Sequence, residues 1–158
     1  MIRPITLPAA MVGCFAYDST ALVERYVAGM DVAVSVVDQG EGPQALPAVE
    51  IVPRNGVYDY AARYTAGLTT WHAPARLDPA VAAVVAETAI TAHAALGLRD
   101  LSRVDMIVDP QGRPHVLEVN VSPGMTETSL LPLAVQAANL DFGKLLSTLV
   151  GRAARRGS

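Results

Sequence analysis

The sequence predicts an α+β fold, an antiparallel sheet with helices packed on one face. Two observations carry this reading. Strand-like runs come first, followed by one long Ala-rich helix, a hairpin and two further helices, and that order favours an antiparallel sheet over βαβ units. The chain has 158 residues, of which 51% are hydrophobic and 17% charged. That is the size and composition of a single globular domain over residues 1–158, long enough to bury a core.

The elements follow in order. Residues 8–17 read as a short helix with Pro8 at its start. Residues 21–27 (ALVERYV) and 31–37 (DVAVSVV) are β-type runs separated by Ala-Gly-Met, a hairpin signal. A polar turn over residues 39–42 leads to a third strand over 44–52, whose Pro47 places its first half at an edge or bulge. Residues 53–70 hold polar, aromatic and Gly residues without a period, and loops of this length are often functional. Asp78 caps a helix through Leu96, Pro79 suits its first turn and Gly97 its stop. Strands over 101–108 and 114–121 flank a turn at 110–112, and helices cover roughly 130–139 and 142–154. The basic tail 152–158 reads as frayed.

A net charge of −3 and a pI near 5.5 give no electrostatic reason to expect nucleic acid, and aromatics are only 5% of residues, too few for a base-stacking surface. The single cysteine, Cys14, excludes an internal disulfide and reads as a small buried hydrophobe. Pro4 and Pro8 interrupt the apolar N-terminus, which lacks a clear cleavage site. No run approaches a membrane span. The expectation is a soluble cytoplasmic protein.

The chemistry lies in RVDMIVDPQGRPHVLEVN, residues 103–120. A turn centred on Gln111–Gly112 sets Asp105 opposite Glu118 and Arg103 opposite Asn120, and leaves Val104, Met106, Leu117 and Val119 on the other, apolar face. A bulged Asp-Pro-Gln-Gly turn would shift the pairing; the register that keeps one face apolar is preferred. Two carboxylates across a ladder repel, and a cation between them relieves the repulsion. Asp, Glu and Asn offer hard oxygen ligands, which suit Mg²⁺ and not zinc. Arg103 adds a fixed positive charge able to hold an oxyanion.

These residues lead into Glu118-Val-Asn120-Val-Ser-Pro-Gly124-Met-Thr-Glu-Thr-Ser129-Leu130. With Arg103-Val-Asp105 before it, this stretch strongly resembles the C-terminal part of the D-alanine–D-alanine ligases, of the ATP-grasp superfamily. The similarity extends upstream through VYDYAARYT, residues 57–65, and VERYV, residues 23–27, and so covers nearly the whole chain in the family's order. The E-x-N-x-x-P-G-M-T stretch is highly specific.

The resemblance implies the C-terminal lobe of an ATP-grasp fold and an enzyme that joins two D-alanines at the expense of ATP. The first carboxylate becomes an acyl phosphate, and the amine of the second D-alanine displaces phosphate, for peptidoglycan precursor synthesis. It implies that Asp105, Glu118 and Asn120 hold two Mg²⁺ ions, or Mn²⁺, against the ATP phosphates. Arg103 and the Gly124 N–H become the oxyanion site, and Ser129 and Leu130 contacts to the second D-alanine. Glu24 and Val27 match the adenine edge. Tyr64 resembles the tyrosine of the closing loop, which goes with amine acceptors. Asp31 stands where the family usually has a ribose-binding Glu, and Arg63 where it commonly has a Lys near the phosphates.

The resemblance also implies what this chain lacks: the N-terminal substrate domain and the first ATP-grasp lobe with its phosphate lysines and glycine loop. The expected partners are therefore D-alanine, ATP, and a polypeptide carrying those lobes or a second copy of the chain. No nucleic acid and no membrane is expected. The alternatives are a non-catalytic binding or oligomerisation module and a ligase for another amino acid. His72, His93 and His115 lack ligand spacing and read as structural or surface residues. Trp71, Tyr58 and Tyr60 read as packing residues, Glu127 as a helix-start carboxylate and Lys144 as solvent-facing.

Overall fold

The computed structural model describes residues 6–54, 56, 62, 65, 67–127 and 129–156. Its elements are α1 (Leu7–Phe15), β1 (Met30–Val37), β2 (Gln44–Ala45), β3 (Val49–Pro53), β4 (Thr69–His72), α2 (Pro79–Ala95), β5 (Leu101–Val108), β6 (Pro114–Asn120), α3 (Leu130–Ala137) and α4 (Phe142–Arg156). The sheet order is β4-β3-β1-β5-β6, with β2 also on β1, and every pairing is antiparallel.

Helices cover both faces of the sheet, not one. Val32, Val34 and Val36 of β1 pack with Val104, Met106 and Val108 of β5 against Val85 and Ala89 of α2. Ala33 and Val37 face the other way, toward Leu131 and Val135 of α3 and Leu145 and Leu149 of α4. The reason lies in β1 itself. Residues 32–37 are all buried, Ser35 included. A near-continuous buried run needs cover on both faces, whereas a half-exposed strand alternates.

Capping fixes where the helices stop and start. Asp78 Oδ1 accepts the Ala80 N–H at 2.9 Å, with Pro79 at the first helical position. At the far end, the Gly97 N–H reaches Ala94 O at 2.9 Å and the Leu98 N–H reaches His93 O at 3.1 Å. Gly97 has φ +61°, as that C-terminal motif requires. Asn139 plays the same part after α3, with φ +56° and the Leu140 N–H on Val135 O at 3.1 Å.

Four expectations need correction. Residues 21–27 form no strand, because β1 is already paired on both edges, with β5 on one and β2 and β3 on the other. Three of their apolar side chains stand in solvent: Leu22 is 84%, Val23 61% and Tyr26 86% exposed. Residues 69 and 70, read as loop, open β4, which is too short to show a period. Cys14 is exposed, since α1 buries none of its residues. The basic tail stays helical to Arg156, because Arg152 pairs with Asp38 at 3.3 Å and Arg156 pairs with Asp100.

Several bland readings hold. Trp71 packs on the α3–α4 side, and Lys144 is exposed. His93 is buried with its Nδ1 2.8 Å from Ser102 Oγ. Among the described residues no helix is long and apolar enough to cross a membrane.

Candidate functional site

The register of β5 and β6 builds the site. Arg103 pairs with Asn120 and Asp105 with Glu118, as the sequence reading preferred. Below them the register shifts, so that Met106 pairs with Val116. Leu117 drops out of the ladder and is 52% exposed, not in the apolar layer where alternation put it. The bulged turn exists too. The Gly112 N–H bonds Asp109 O at 2.9 Å, and Gly112 has φ +78°. Both readings of the hairpin are therefore realised, the bulged one at the turn and the other at the carboxylates, with Leu117 absorbing the difference.

Asp109 anchors that turn. Its Oδ1 accepts the Gln111 and Arg113 N–H groups, both at 2.9 Å, and its Oδ2 meets Arg113 Nε at 2.9 Å and His115 Nε2 at 3.0 Å. The His115 hydrogen bond, followed by those from Arg113 and Gln111, holds its carboxyl well below the usual range.

Strand pairing places Ser35, Arg103 and Asn120 in one row across the sheet, and Ala33, Asp105 and Glu118 in the next. Asp31 lies one row further, between Ile51 and Ile107. All of these residues lie on the face where α3 and α4 pack over Ala33, Val37, Val49 and Ile51, and at its β6 edge Glu118 is exposed. Arg103 grips Asp105 as a fork, with Nε on Oδ1 at 2.7 Å and Nη2 on Oδ2 at 2.6 Å. The Glu118 carboxylate stands 3.7 Å from Arg103 Nη2 with 60% of its side chain exposed. Burial, and then the charge of Asp105, push the Asp31 carboxyl up.

Among the described residues no three His, Cys, Asp or Glu side chains already converge as a cation cage. Asp105 is turned onto Arg103 instead. The donor types nevertheless suit a hard divalent ion: two carboxylates, Asp105 and Glu118, face each other across the ladder, with the Asn120 amide in the neighbouring row. Mg²⁺ or Mn²⁺ would be held by Asp105, Glu118 and Asn120.

The strand then gives way to a loop. Asn120 Oδ1 accepts the Ser122 N–H at 2.8 Å, a local turn that starts it. A Cβ on Gly124 would lie 2.7 Å from Ser129 Oγ, so a side chain there would push that hydroxyl aside. Ser129 is the N-cap of α3, yet its side chain makes no cap bond. It meets the Thr126 N–H at 3.1 Å and Thr126 Oγ1 at 2.8 Å instead. Sequence reasoning passed over Thr126; a Thr three residues before a Ser N-cap was the available signal. The Leu130 side chain is buried in the core, so only its backbone N–H remains to meet a ligand.

Of the other expected site residues, Glu24 is exposed and Val27 half-buried in the unpaired stretch before β1. Arg63 and Tyr64, with Tyr58 and Tyr60, lie outside the described residues. The structure thus brings together Arg103, Asp105, Glu118 and Asn120, with Asp31 nearby, and separately Gly124, Ser129 and Leu130.

Residues 4–151 match the family model described as D-ala D-ala ligase C-terminus. The chain belongs to the D-alanine–D-alanine ligase family. A D-alanine–D-alanine ligase of Pelotomaculum thermopropionicum is 46% identical over 134 residues, covering 85% of this chain and 42% of that protein. Among solved structures, the D-alanine–D-alanine ligase of Bacillus anthracis complexed with ATP superposes with a TM-score of 0.76 at 28% identity, covering 94% of this chain and 46% of that one. The VanG D-Ala:D-Ser ligase of Enterococcus faecalis does so with a TM-score of 0.79 at 33% identity, covering 92% and 42%. The chain therefore spans less than half the length of these ligases. Its antiparallel α+β fold is that of the C-terminal part of this ATP-grasp family.

Proposed function

We propose that this chain supplies the metal and oxyanion half of an ATP-dependent D-alanine–D-alanine ligase. The observation that carries the reading is the pairing of Asp105 with Glu118, and of Arg103 with Asn120, on one face of the sheet in a family member. Mg²⁺ or Mn²⁺ ions bound there supply charge neutralisation for the ATP phosphates. Asp105 and Glu118 would supply carboxylate oxygens to the ions, with Asp105 still bridged to Arg103, and Asn120 would add an amide oxygen. Arg103, fixed by Asp105, presents the rest of its guanidinium to an oxyanion. The Gly124 N–H is the second donor.

In this reading the first D-alanine carboxylate takes the γ-phosphoryl group, giving an acyl phosphate and ADP. The second D-alanine is held through its carboxylate by Ser129 Oγ–H and the Leu130 N–H, at a helix start that favours negative charge. Its amine attacks the acyl carbon and phosphate leaves. Glu24, Val27, Asp31 and Arg63 serve the nucleotide, and Tyr64 belongs to the loop that excludes water. The product feeds peptidoglycan precursors, and the setting is cytoplasmic, where ATP is available.

The exposed Leu22, Val23 and Tyr26 favour completion of the site by further protein surface. A polypeptide carrying the family's other lobes is the proposed partner, and a second copy of this chain is the other reading.

Phosphate release from Mg-ATP, with and without D-alanine, tests the proposal. The assay is run on the chain alone and again with the other lobes of a related ligase. D-alanine-dependent release that needs the other lobes and disappears in Glu118→Gln supports it, whereas such release from the chain alone contradicts its being only half of the site. Release in neither setting, from folded protein, contradicts it.

A further inference from the structure

The β5–β6 hairpin holds two registers, and one residue reconciles them. From the turn upward, Val108 pairs with Pro114, Ile107 with His115 and Met106 with Val116. Carried on unbroken, that register would pair Asp105 with Leu117, Val104 with Glu118 and Ser102 with Asn120. Val104 and Ser102 are 0% exposed and face α2, Val104 within its core cluster and Ser102 with Oγ 2.8 Å from His93 Nδ1. Glu118 and Asn120 would then be buried on the apolar side at a high cost, and Leu117 and Val119 would take the places beside Asp105 and Arg103. Leu117 prevents this by standing outside the ladder, so that Glu118 is the next residue to pair and meets Asp105.

The bulge also affects how Glu118 stands. Val116, Leu117 and Glu118 are exposed one after another, where a regular strand over α2 would bury alternate residues. A bulge bends its strand and adds twist, and beside a functional site it re-aims a side chain. Asp105 and Glu118 are partners in the ladder, yet 16% of the Asp105 side chain is exposed and 60% of the Glu118 one. The Glu118 carboxylate leans diagonally toward Arg103, 3.7 Å from Nη2, on the side away from the bulge.

We propose that Leu117 is a positioning residue: as the extra residue of the bulge, it delivers the Glu118 carboxylate, lifted outward at the β6 edge, to the bound cation. Its backbone does this, and its side chain, 52% exposed, does not. The cation half of this inference rests on the metal reading above; the register does not. The turn is what makes the extra residue necessary. Asp109 ties the Gln111 and Arg113 N–H groups into one turn register, and that register has the wrong parity for Glu118 and Asn120 until Leu117 is passed over.

The test removes the bulge in two ways that both keep Glu118 opposite Asp105. Deletion of Leu117 joins Val116 to Glu118 in one regular ladder, with every other pair kept and only a half-exposed side chain lost. Pro110→Val with Gln111→Asn keeps Leu117 and writes an Asn-Gly two-residue turn, whose register runs unbroken to Glu118. Cross-strand nuclear Overhauser effects check the straightened ladder, the melting temperature checks the fold, and electron paramagnetic resonance reads Mn²⁺ affinity. Affinity is expected to fall at least about tenfold in both variants, the scale seen when the support of a metal ligand is altered. Leu117→Ala restores the extra residue without its side chain and is expected to rescue binding. Wild-type affinity in either straightened variant overturns the inference even if its melting temperature falls, because the bulge then serves the fold alone. Loss of binding in Leu117→Ala also overturns it, by assigning the effect to the side chain. In both of those cases Mn²⁺ binding by wild type keeps the metal reading standing; its absence from folded wild type removes that reading and this inference together.

Discussion

Arg103 and Asp105 form a two-pronged ion pair between neighbours on the same face of β5, at 2.7 and 2.6 Å, with 8% and 16% of their side chains exposed. This geometry fixes the guanidinium plane before any ligand arrives. A lysine keeps the charge but loses the fork. Arg103→Lys is expected to cost about 1–2 kcal/mol of stability in urea denaturation, on the scale of hydrogen bonds to charged groups. Arg103→Met leaves Asp105 without its partner and should cost more, about 3 kcal/mol. Equal stability of Arg103→Lys and wild type would mean that the fork does not hold the site.

Asp31 stands between Ile51 and Ile107, and burial together with Asp105 raises its pKa. The folded state therefore holds its proton more tightly than the unfolded state. Stability falls as the pH rises from the unfolded value of about 3.9 through the raised folded value. Asp31→Asn removes that loss. It should raise the melting temperature at pH 7, and the gain should vanish below the unfolded pKa. A variant no more stable than wild type at pH 7 would show that Asp31 is not a strained carboxylate.

Asp109 has the opposite sign. Its hydrogen bonds from His115, Arg113 and Gln111 depress its folded pKa. It contributes stability above the unfolded value of about 3.9 and loses it as the pH falls toward the folded value. Asp109→Asn should therefore be less stable than wild type at neutral pH, and the gap should narrow steadily as the solution is acidified. A gap that does not change with pH would assign the effect to turn geometry alone.

Much of the site was legible because strand alternation is strict. Arg103, Asp105, Glu118 and Asn120 fall on one face in any register that buries Val104 and Met106, and the structure pairs them so. Local chemistry also read through: Asp78, Pro79 and Gly97 bound α2 as their types dictate. What escaped depended on the rest of the fold. Residues 21–27 carry strand-forming residue types, but sequence does not show that both edges of β1 are already taken. The outward turn of Leu117 follows from reconciling two registers, which no single pairing predicts. Cover on both faces was within reach, since DVAVSVV is a continuous run and not an alternating one. The Thr126–Ser129 pair needed a side-chain geometry that spacing alone only hints at.

The cation face is tested by Mn²⁺ binding to the isolated chain, followed by electron paramagnetic resonance. Wild type should bind, Asp105→Asn and Glu118→Gln should each weaken binding at least about tenfold as a charged ligand is lost, and the exposed Glu127→Gln should bind as wild type does. Binding that survives in both Asp105→Asn and Glu118→Gln, or that is absent from folded wild type, would contradict the assignment of this face to metal.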